Sequence, residues 1–338
     1  MPPTGPTPAL FFDTVNAFQR TEALRAAVDI GLCTHIAAGK HTVAELAAAC
    51  GASPKGVRIL ADYMTIGGWL RKEGDAYHLT PDAAAFLDRN SPAYLGDALD
   101  FLLGPELRQC FRLLPEAVCK GGTAVSAEGT VSVDNPVWVD FARGMAPIMR
   151  LPAELLADVV GGPAADQPLR VLDVAAGHGL FGIAVARRHP KVTVTALDWQ
   201  AVLTVAADNA EKAGLRDRYT LKPGDAFAVD WGGPYDVVLL TNFLHHFDRP
   251  TCEKLAAKAR AALAPGGRAV TLEFVPNPDR ISPLPTAGFA LTMLATTAGG
   301  DAYTFAEYEA MFAAAGFARS EFHPLPPTGQ QAVVSYRD

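Results

Sequence analysis

The second half of the sequence alternates between short apolar strands and helices, and no other feature constrains the fold as tightly. Strands are predicted at residues 170–174, 193–197, 219–222, 236–240 and 269–274. Apolar residues recur at helical spacing in the segments 180–188, 201–213, 249–263 and 305–315. This alternation is typical of a parallel sheet with helices packed on its faces.

The last stretch of the chain adds a different kind of strand pair. Residues 320–336 predict two strands around a Pro/Gly turn. A parallel pair needs a crossover of a dozen or more residues, so two strands this close cannot run parallel to each other. We therefore expect a mostly parallel sheet with an antiparallel strand at the end of the chain.

The first part of the chain predicts helices followed by a hairpin. Residues 9–38 read as one helix, Thr42 and Glu45 form a capping box, and Ser53 caps the next helix. A helix–turn–helix with a hairpin wing often binds DNA in other proteins. Residues 41–92 contain five Lys or Arg against six Asp or Glu, and phosphate binding needs a basic surface. We expect a dimerisation and lid module, with a winged-helix regulator as the alternative outside enzymology.

Composition limits the partners of the chain. The formal net charge of −7 argues against a nucleic-acid partner. The sequence shows neither a signal-peptide pattern at its start nor an apolar run of membrane-spanning length. The five cysteines are odd in number and form no CxxC pair, which indicates reduced thiols and no zinc site. We expect a cytoplasmic protein without a metal and without a nucleic-acid or membrane partner.

A glycine-rich turn follows the first of the alternating strands. Gly177 and Gly179 allow backbone to approach a ligand closely, and the next helix offers unpaired N–H groups at its start. With Gly182 they also satisfy the dinucleotide fingerprint, and Asp198 lies about twenty residues further on. On this motif alone, an oxidoreductase that uses a nicotinamide dinucleotide is a fair alternative.

Other polar motifs follow neighbouring strands. Asp173 ends the first strand, before the turn, where a dinucleotide fold usually continues with apolar residues. Residues 224–227 (Gly-Asp-Ala-Phe) follow the third strand and provide a carboxylate and an aromatic ring suited to adenine. Residues 242–248 (Asn-Phe-Leu-His-His-Phe-Asp) follow the fourth strand. Open parallel sheets bind ligands at the carboxyl ends of their strands, so these motifs are expected to share one site.

Together these motifs resemble the caffeic-acid O-methyltransferase-like family of S-adenosylmethionine-dependent small-molecule methyltransferases. Residues 172–179 are similar to the family's VDVGGGxG turn, with two glycines replaced by alanine. Asp198 matches the acid of FDLP, residues 224–227 match GDMF with alanine in place of methionine, and residues 244–247 match LHDW. The resemblance covers nearly the whole chain.

The resemblance implies an α/β architecture in two parts. A mainly helical winged-helix dimerisation domain would span residues 1–95 and form a homodimer. A helical connector, residues 96–165, would contribute to the acceptor pocket. A Rossmann-like methyltransferase domain, residues 166–338, would contain a mostly parallel seven-stranded sheet with an antiparallel last strand.

The resemblance also implies S-adenosylmethionine as the cofactor, S-adenosylhomocysteine as its product, and no metal. Asp198 would bind the ribose hydroxyls and Asp225 the exocyclic amine of adenine. The residues expected around the cofactor are Ala175, Gly177, Gly179, Asp198, Trp199, Asp225, Ala226, Phe227 and Asn242.

For catalysis, the resemblance assigns His245 as the general base and Glu273 as its partner. The family's second acid has no match, because Ala302 fills its place and Asp301 lies one residue earlier. We keep Asp301 as a catalytic candidate. Apolar residues that suit a flat acceptor are Phe141, Met145, Met149, Phe289 and Met293. The expected reaction is O-methylation of a small aromatic or apolar metabolite, with C- or N-methylation or a non-methylating use of the cofactor as alternatives.

Overall fold

The computed structural model describes residues 5–126, 137–161 and 167–338. The chain forms two compact units, Met1–Leu99 and Asp100–Asp338. Apart from its first residues, the segment 96–165 that the sequence predicts as a connector falls in the second unit. Each unit has its own core.

The first unit contains helices and one hairpin. Its elements are α1 (Ala9–Asp29), α2 (Leu32–Ala37), α3 (Val43–Cys50), α4 (Pro54–Ile66), β1 (Leu70–Glu73), β2 (Ala76–Leu79) and α5 (Pro81–Phe86). The single helix predicted over residues 9–38 is wrong, because the chain breaks at Gly31 with φ +66°. Left-handed backbone ends a helix, and glycine adopts it without strain.

Local capping explains where the next helices start. Thr42 and Glu45 form the predicted capping box, and the Ser53 side chain accepts a hydrogen bond from the N–H of Gly56. The strands β1 and β2 pair as an antiparallel hairpin. The core beneath them consists of residues such as Leu32, Leu46, Met64, Leu70 and Tyr77. Arg58 and Lys72 of this unit both form ion pairs with Asp62.

The second unit combines helices with a seven-stranded sheet; α6 crosses the boundary between the units. Its helices are α6 (Ala98–Leu102), α7 (Pro105–Arg112), α8 (Leu114–Lys120), α9 (Val137–Gly161), α10 (Leu180–Arg188), α11 (Gln200–Lys212), α12 (Arg249–Ala262), α13 (Leu284–Ala287), α14 (Phe289–Thr296) and α15 (Phe305–Ala314). Its strands are β3 (Leu169–Val174), β4 (Val192–Asp198), β5 (Tyr219–Pro223), β6 (Tyr235–Thr241), β7 (Leu263–Glu273), β8 (Arg319–Pro324) and β9 (Gln331–Tyr336).

The strand order in the sheet is β5-β4-β3-β6-β7-β9-β8. The pairs among β5, β4, β3, β6 and β7 are parallel, and β9 runs antiparallel to both β7 and β8. The expected mostly parallel sheet with an antiparallel last strand is therefore confirmed. Because β3 lies in the middle with β4 and β6 on either side, the crevice at this switch point is where a ligand is expected.

Helices cover both faces of the sheet. Alternate strand residues such as Val171 and Leu172 point to opposite faces and are fully buried. One face packs against α9, α10 and α11, and the other packs against α12 and α15. This rigid centre fixes the positions of the loops at the carboxyl ends of the strands. In the described ranges, no helix is both long and apolar enough to cross a membrane.

Candidate active site

The glycine-rich turn after β3 brings backbone N–H groups to the crevice. Ala175, Gly177 and Gly179 have φ values of +52°, +57° and +74°. At Gly179, which begins α10, a Cβ would lie 2.6 Å from the hydroxyl oxygen of Tyr219. This position therefore needs glycine both for its backbone conformation and for space.

Asp198 at the end of β4 is tied to that turn. One carboxylate oxygen accepts a hydrogen bond from the N–H of Gly177 (2.8 Å), and the other accepts one from the N–H of Trp199 (2.7 Å). Burial raises the pKa of Asp198 to about 6. The side chain is held in one orientation at the edge of the crevice, with lone pairs left for further donors.

Asp173 lies beneath the same turn. Its Oδ2 accepts a hydrogen bond from the N–H of Gly182 (3.1 Å), while Oδ1 is buried without a partner in the described part of the chain. Burial raises the pKa of Asp173 to about 7, and the charge of Asp198 acts in the same direction. Asp173 therefore supports the turn from below.

The loop after β5 is fixed by hydrogen bonds to its carbonyl groups. Lys258 donates to the carbonyl oxygens of Ala226 (2.7 Å) and Phe227 (3.0 Å), and Trp231 donates to that of Ala226 (2.8 Å). The carboxylate of Asp225 accepts from the N–H of Phe227 (2.8 Å). The Phe227 ring remains half exposed, as a stacking platform would be.

These loops surround one cavity. The described residues that line it are Trp138, Phe141, Met149, Ala175, Ala176, Gly177, His178, Phe181, Leu197, Asp198, Trp199, Val202, Gly224, Asp225, Ala226, Phe227, Thr241, Asn242, Phe243, His246 and Phe247. Carboxylates and backbone groups lie towards β4 and β5. Aromatic and sulfur-containing side chains lie towards α9 and the loop after β6.

A short 3-10 turn after β6, Leu244–His246, carries two histidines. Oε1 of Glu273, at the end of β7, accepts hydrogen bonds from the N–H groups of Phe243 (3.0 Å) and Leu244 (2.9 Å). Oε2 of the same carboxylate contacts Nδ1 of His245. Both side chains are buried, so the carboxylate positions the turn and the imidazole together.

The second histidine has a different environment. The ring of His246 lies 4.2 Å from that of His245 and meets the Trp138 ring edge-on at 5.3 Å. Its Nδ1 is buried without a partner in the described residues. Burial and the neighbouring His245 hold the pKa of His246 well below its ordinary value.

Asn242 links the cavity to the last hairpin. It adopts φ +51°, its amide donates to the sulfur of Met149 (3.5 Å), and its carbonyl oxygen accepts from the amide of Gln330. A left-handed non-glycine residue at a strand end is a mark of a functional loop. Gln330 was not predicted, because it lies 88 residues away in sequence.

The structure brings most of the predicted cofactor residues together. Ala175, Gly177, Asp198, Trp199, Asp225, Ala226, Phe227 and Asn242 all line the cavity, as do Phe141 and Met149 from the predicted acceptor wall. Gly179 is not among the lining residues; its N–H donates to the carbonyl of Ala176 (2.8 Å), and it starts α10.

The remaining predicted residues lie behind the cavity wall. Phe289 meets the His245 ring edge-on at 4.9 Å and stacks on Phe274 at 4.2 Å. Met293 is buried in α14, and Met145 packs against the core of the sheet. His245 and Glu273 are also absent from the described lining residues, although the His245 ring lies 4.2 Å from that of His246, which does line the cavity.

Asp301 lies in an exposed position. Its carboxylate faces Arg280 (3.5 Å) and accepts from the N–H of Ala302 (2.8 Å), while its own N–H donates to the carbonyl of His245 (3.0 Å). Through its backbone it supports the histidine turn. Ala302, in the place of the family's second acid, is buried.

Several cavity residues escaped sequence reasoning. Trp138 lines the cavity but was not predicted to lie there, and Phe243, His246 and Phe247 line it although no individual role in binding was predicted for them. The sequence feature that pointed to His246 was its position directly after His245. In the part of the chain that the structure describes, no group of three or more His, Cys, Asp or Glu is arranged to hold a metal.

Comparison with protein families decides what kind of enzyme this site belongs to. A family model described as an O-methyltransferase domain matches residues 124–318, more than half of the chain. The chain belongs to the O-methyltransferase family. A second model, described as an O-methyltransferase dimerisation domain, matches residues 12–89. The family resemblance is confirmed, and the oxidoreductase and the winged-helix regulator are set aside.

Relatives of this O-methyltransferase span most of its length. Acetylserotonin O-methyltransferase of Mus musculus is 30% identical over 331 residues, which cover 91% of this chain and 83% of the mouse protein. The 3-hydroxy-5-methyl-1-naphthoate 3-O-methyltransferase of Streptomyces sahachiroi is 28% identical over 99% of this chain and 96% of its own length.

Solved structures share the architecture of this O-methyltransferase. A protein from Nostoc punctiforme assigned to the O-methyltransferases is 51% identical, with a TM-score of 0.94 over 98% of this chain and 100% of its own. Human N-acetylserotonin methyltransferase in complex with SAM is 22% identical, with a TM-score of 0.84 over 100% of this chain and 99% of its own. At that identity the human structure shows the shared fold alone.

Proposed function

We propose that this O-methyltransferase uses S-adenosylmethionine to methylate a hydroxyl of a small aromatic molecule, with His245 as the general base. The contact between Glu273 Oε2 and His245 Nδ1, beside the cavity-lining His246, is the observation that carries the proposal. The carboxylate fixes one imidazole nitrogen and leaves the other for the acceptor, an arrangement typical of a base and its orienting acid.

The cavity fits the cofactor. Asp198 offers lone pairs to two ribose hydroxyls, the half-exposed Phe227 ring suits stacking on adenine, and Asp225 lies beside it to accept from the exocyclic amine. The glycine turn, whose Ala175 and Gly177 line the same cavity, would lie against the methionine portion. When bound, S-adenosylmethionine supplies an electrophilic methyl group on a sulfonium.

His245 would act on the acceptor hydroxyl. Because a carboxylate only accepts hydrogen bonds, Glu273 favours the tautomer with the proton on Nδ1. Nε2 would then be unprotonated and would accept the hydroxyl proton, while the sulfonium would supply the methyl group and leave as S-adenosylhomocysteine. The charge of Glu273 stabilises the imidazolium that forms. A phenol with a pKa near 10 is mostly protonated at neutral pH, so such a base is expected to contribute about 10²–10⁴-fold.

The acceptor side favours an aromatic molecule. The walls near His246 consist of Trp138, Phe141, Phe243, Phe247 and Met149, which suit a flat apolar ring. The two relatives described above act, by their names, on acetylserotonin and on a hydroxylated naphthoate. We give Asp301 no catalytic role, since its carboxylate faces Arg280 in an exposed position.

The first unit would form a homodimer. Helix α1 exposes five large apolar side chains by more than half of their surface: Leu10, Phe11, Phe12, Val15 and Phe18. This much exposed apolar surface on one helix favours a protein partner. A second copy of this chain fits best, because residues 12–89 match a dimerisation domain.

A cytoplasmic location is consistent with the cysteines. Cys33, Cys50, Cys110, Cys119 and Cys252 all carry free thiols. Free thiols in this number are typical of proteins in a reducing compartment.

Methyl transfer from labelled S-adenosylmethionine to a panel of phenols, anilines and activated carbon acids tests the function. We expect labelled methyl ethers from phenols, identified by mass spectrometry and NMR. Methylation of nitrogen or carbon only would contradict the proposal. Calorimetry with S-adenosylhomocysteine against NAD tests the cofactor separately, with binding expected for the former only.

A further inference from the structure

The histidine turn is held by its carbonyl groups as well as by the N–H groups that Glu273 binds. The N–H of Asp301 donates to the carbonyl oxygen of His245 (3.0 Å). The hydroxyl of Tyr303 donates to the carbonyl oxygen of Phe247, directly after the turn (2.7 Å). Both donors come from one short segment, residues 299–303, which lies between α14 and α15. This segment and Glu273 therefore bind different groups of the same turn.

Gly300 allows the segment to lie against the backbone of the turn. A Cβ at Gly300 would overlap the carbonyl oxygen of His245 and would lie 2.9 Å from the carbonyl carbon of His246. Since Gly300 does not have a positive φ, space and not backbone conformation requires glycine here. Its N–H donates to Oγ1 of Thr297 (2.9 Å), which itself donates to the carbonyl oxygen of Met293 in α14 (2.7 Å). One end of the segment is therefore fixed to α14.

Tyr303 fixes the other end of the segment. Its side chain is buried, and its ring meets the ring of Tyr308 in α15 edge-on, with centroids 5.8 Å apart. Because packing holds the ring, the hydroxyl is fixed relative to the carbonyl group of Phe247 that it binds. The position of the turn is thus tied to α15 as well as to α14.

A base needs this kind of support from more than one direction. Glu273 binds the N–H groups of Phe243 and Leu244 and contacts the imidazole of His245. These contacts lie at the start of the turn and leave its end to be held by other groups. A general base must lie within hydrogen-bond reach of the proton that it removes, and a displacement of about 1 Å can cost about 10²-fold in rate.

We propose that Gly300 and Tyr303 are positioning residues for the base. They hold the histidine turn against Glu273, so that Nε2 of His245 stays within reach of the acceptor hydroxyl. The proposal rests on the proposed function, because it takes His245 as the base. Loss of either residue should therefore slow the removal of the acceptor proton and leave cofactor binding unchanged.

Two substitutions with matched neighbours test the proposal. Tyr303→Phe removes the hydroxyl and keeps the ring, and Tyr308→Phe is its control, since the Tyr308 hydroxyl is buried without a hydrogen-bond partner in the described residues. Gly300→Ala places a methyl group against the carbonyl of the base. Gly299→Ala is its control, because the added Cβ would lie 3.3 Å from the Cβ of Asp248 and meets no backbone atom as closely.

The measurement is the single-turnover rate of methyl transfer with two acceptors. One is an ordinary phenol, which must lose its proton, and the other is a nitro-substituted phenol that is already ionised at neutral pH. We expect the ratio of the first rate to the second to fall by about three- to ten-fold in Tyr303→Phe and by about ten-fold or more in Gly300→Ala. Both controls should keep the wild-type ratio, and all four variants should bind S-adenosylhomocysteine as the wild type does.

The proton on Nδ1 of His245 gives a second measurement that needs no acceptor. In the enzyme loaded with S-adenosylhomocysteine and labelled with ¹⁵N-histidine, this proton should give a low-field NMR signal that His245→Gln removes. Its exchange with solvent should be about three-fold or more faster in Tyr303→Phe and Gly300→Ala than in the wild type and the controls, because a turn that is held less firmly opens more often.

The proposal is overturned if Tyr303→Phe and Gly300→Ala keep the wild-type ratio, or if they slow both phenols equally, as a general loss of structure would. If neither phenol is methylated, unchanged proton exchange in both variants overturns it. Tyr303→Phe, the smaller change, decides the outcome if Gly300→Ala does not fold. Failure of the proposed function has a different signature: His245→Gln itself then keeps the wild-type ratio.

Discussion

Glu273 uses its two carboxylate oxygens for two different tasks at His245. Oε2 contacts the imidazole Nδ1, and Oε1 accepts hydrogen bonds from the backbone of the turn that carries the histidine. The carboxylate therefore fixes the position of the turn and the tautomer of the ring together. Because it is buried at the end of a central strand, little freedom remains for the ring to reorient.

This arrangement predicts that Glu273→Gln strongly reduces the rate of methyl transfer. From the family pattern alone, a milder effect is expected, since the base itself remains. The hydrogen bonds of Glu273 to the turn and its contact with His245 predict a larger effect. If the amide oxygen serves the backbone N–H groups, the amide NH₂ faces Nδ1 and moves the imidazole proton to Nε2. Turnover should fall by about 10²–10⁴-fold. The measurement is the single-turnover rate of methyl transfer.

Glu273→Asp is the matched control, because it keeps the charge and both acceptor oxygens on a shorter side chain. It should retain more activity than Glu273→Gln. An amide variant that is folded and as active as the aspartate variant would show that the tautomer does not matter.

Cofactor affinity should depend on Asp198. Each hydrogen bond to its charged carboxylate contributes about 1.5–3 kcal/mol, so Asp198→Ala should weaken S-adenosylhomocysteine binding by about ten-fold or more. Since burial raises the pKa of Asp198 to about 6, the affinity of the wild type should also fall as pH drops below 6 and the acceptor is protonated. Calorimetry between pH 5 and 8 measures both effects. Equal dissociation constants for the alanine variant and the wild type would remove the ribose assignment.

Asp173→Asn should stabilise the ligand-free protein at alkaline pH. The pKa of Asp173 rises from 3.8 to about 7 on burial, so the folded state binds this proton more tightly than the unfolded state. The free energy of unfolding therefore falls as pH rises from about 4 to about 7 and stays at the lower value above that. The variant removes this penalty and keeps an oxygen that accepts from Gly182.

The difference in Tm between Asp173→Asn and the wild type, followed from pH 5 to pH 9, measures this contribution. We expect the difference to grow in favour of the variant between pH 5 and about pH 7 and to level off above that, where Asp173 is ionised in both the folded and the unfolded state. A difference that is independent of pH would contradict the assignment.

Dimerisation should depend on the exposed apolar side chains of α1. Phe11→Ser combined with Phe18→Ser removes two rings that are 65% and 61% exposed, so the variant should dissociate without losing the internal core of the unit. Light scattering at micromolar concentration should give the mass of two chains for the wild type and one for the variant. Gln19→Ala on the same helix is the control and should remain dimeric. A monomeric wild type would contradict the proposed homodimer.

Sequence patterns predicted the second unit well, because its signals are local and agree with the fold. The helix predicted at 180–188 has those bounds in the structure, since the glycine turn marks its start and the strand that follows limits its end. The first helix was less well predicted. Apolar residues continue past Gly31 at helical spacing, and the pattern does not register that this residue adopts a left-handed conformation.

In the candidate site too, the sequence predicted residues that are close together in the chain better than contacts between distant segments. The cofactor motifs are contiguous in sequence, so Asp198 and Asp225 could be assigned from their neighbours. The acceptor wall is built from distant segments: His246 meets Trp138 across more than a hundred residues, and no local signal links them. Phe289 was predicted in the acceptor wall, but it meets the His245 ring edge-on and is not among the lining residues. Which face of a helix meets a cavity depends on packing that the sequence pattern does not contain.

The most direct test of the account is the methyl-transfer rate of His245→Gln. With an ordinary phenol, single-turnover transfer should be about 10²–10⁴-fold slower than in the wild type, while the dissociation constant of S-adenosylhomocysteine stays the same. With a nitro-substituted phenol that is already ionised at neutral pH, the loss should be much smaller, because no proton has to be removed. A folded His245→Gln enzyme that methylates the ordinary phenol at nearly the wild-type rate would contradict the assignment of His245 as the base.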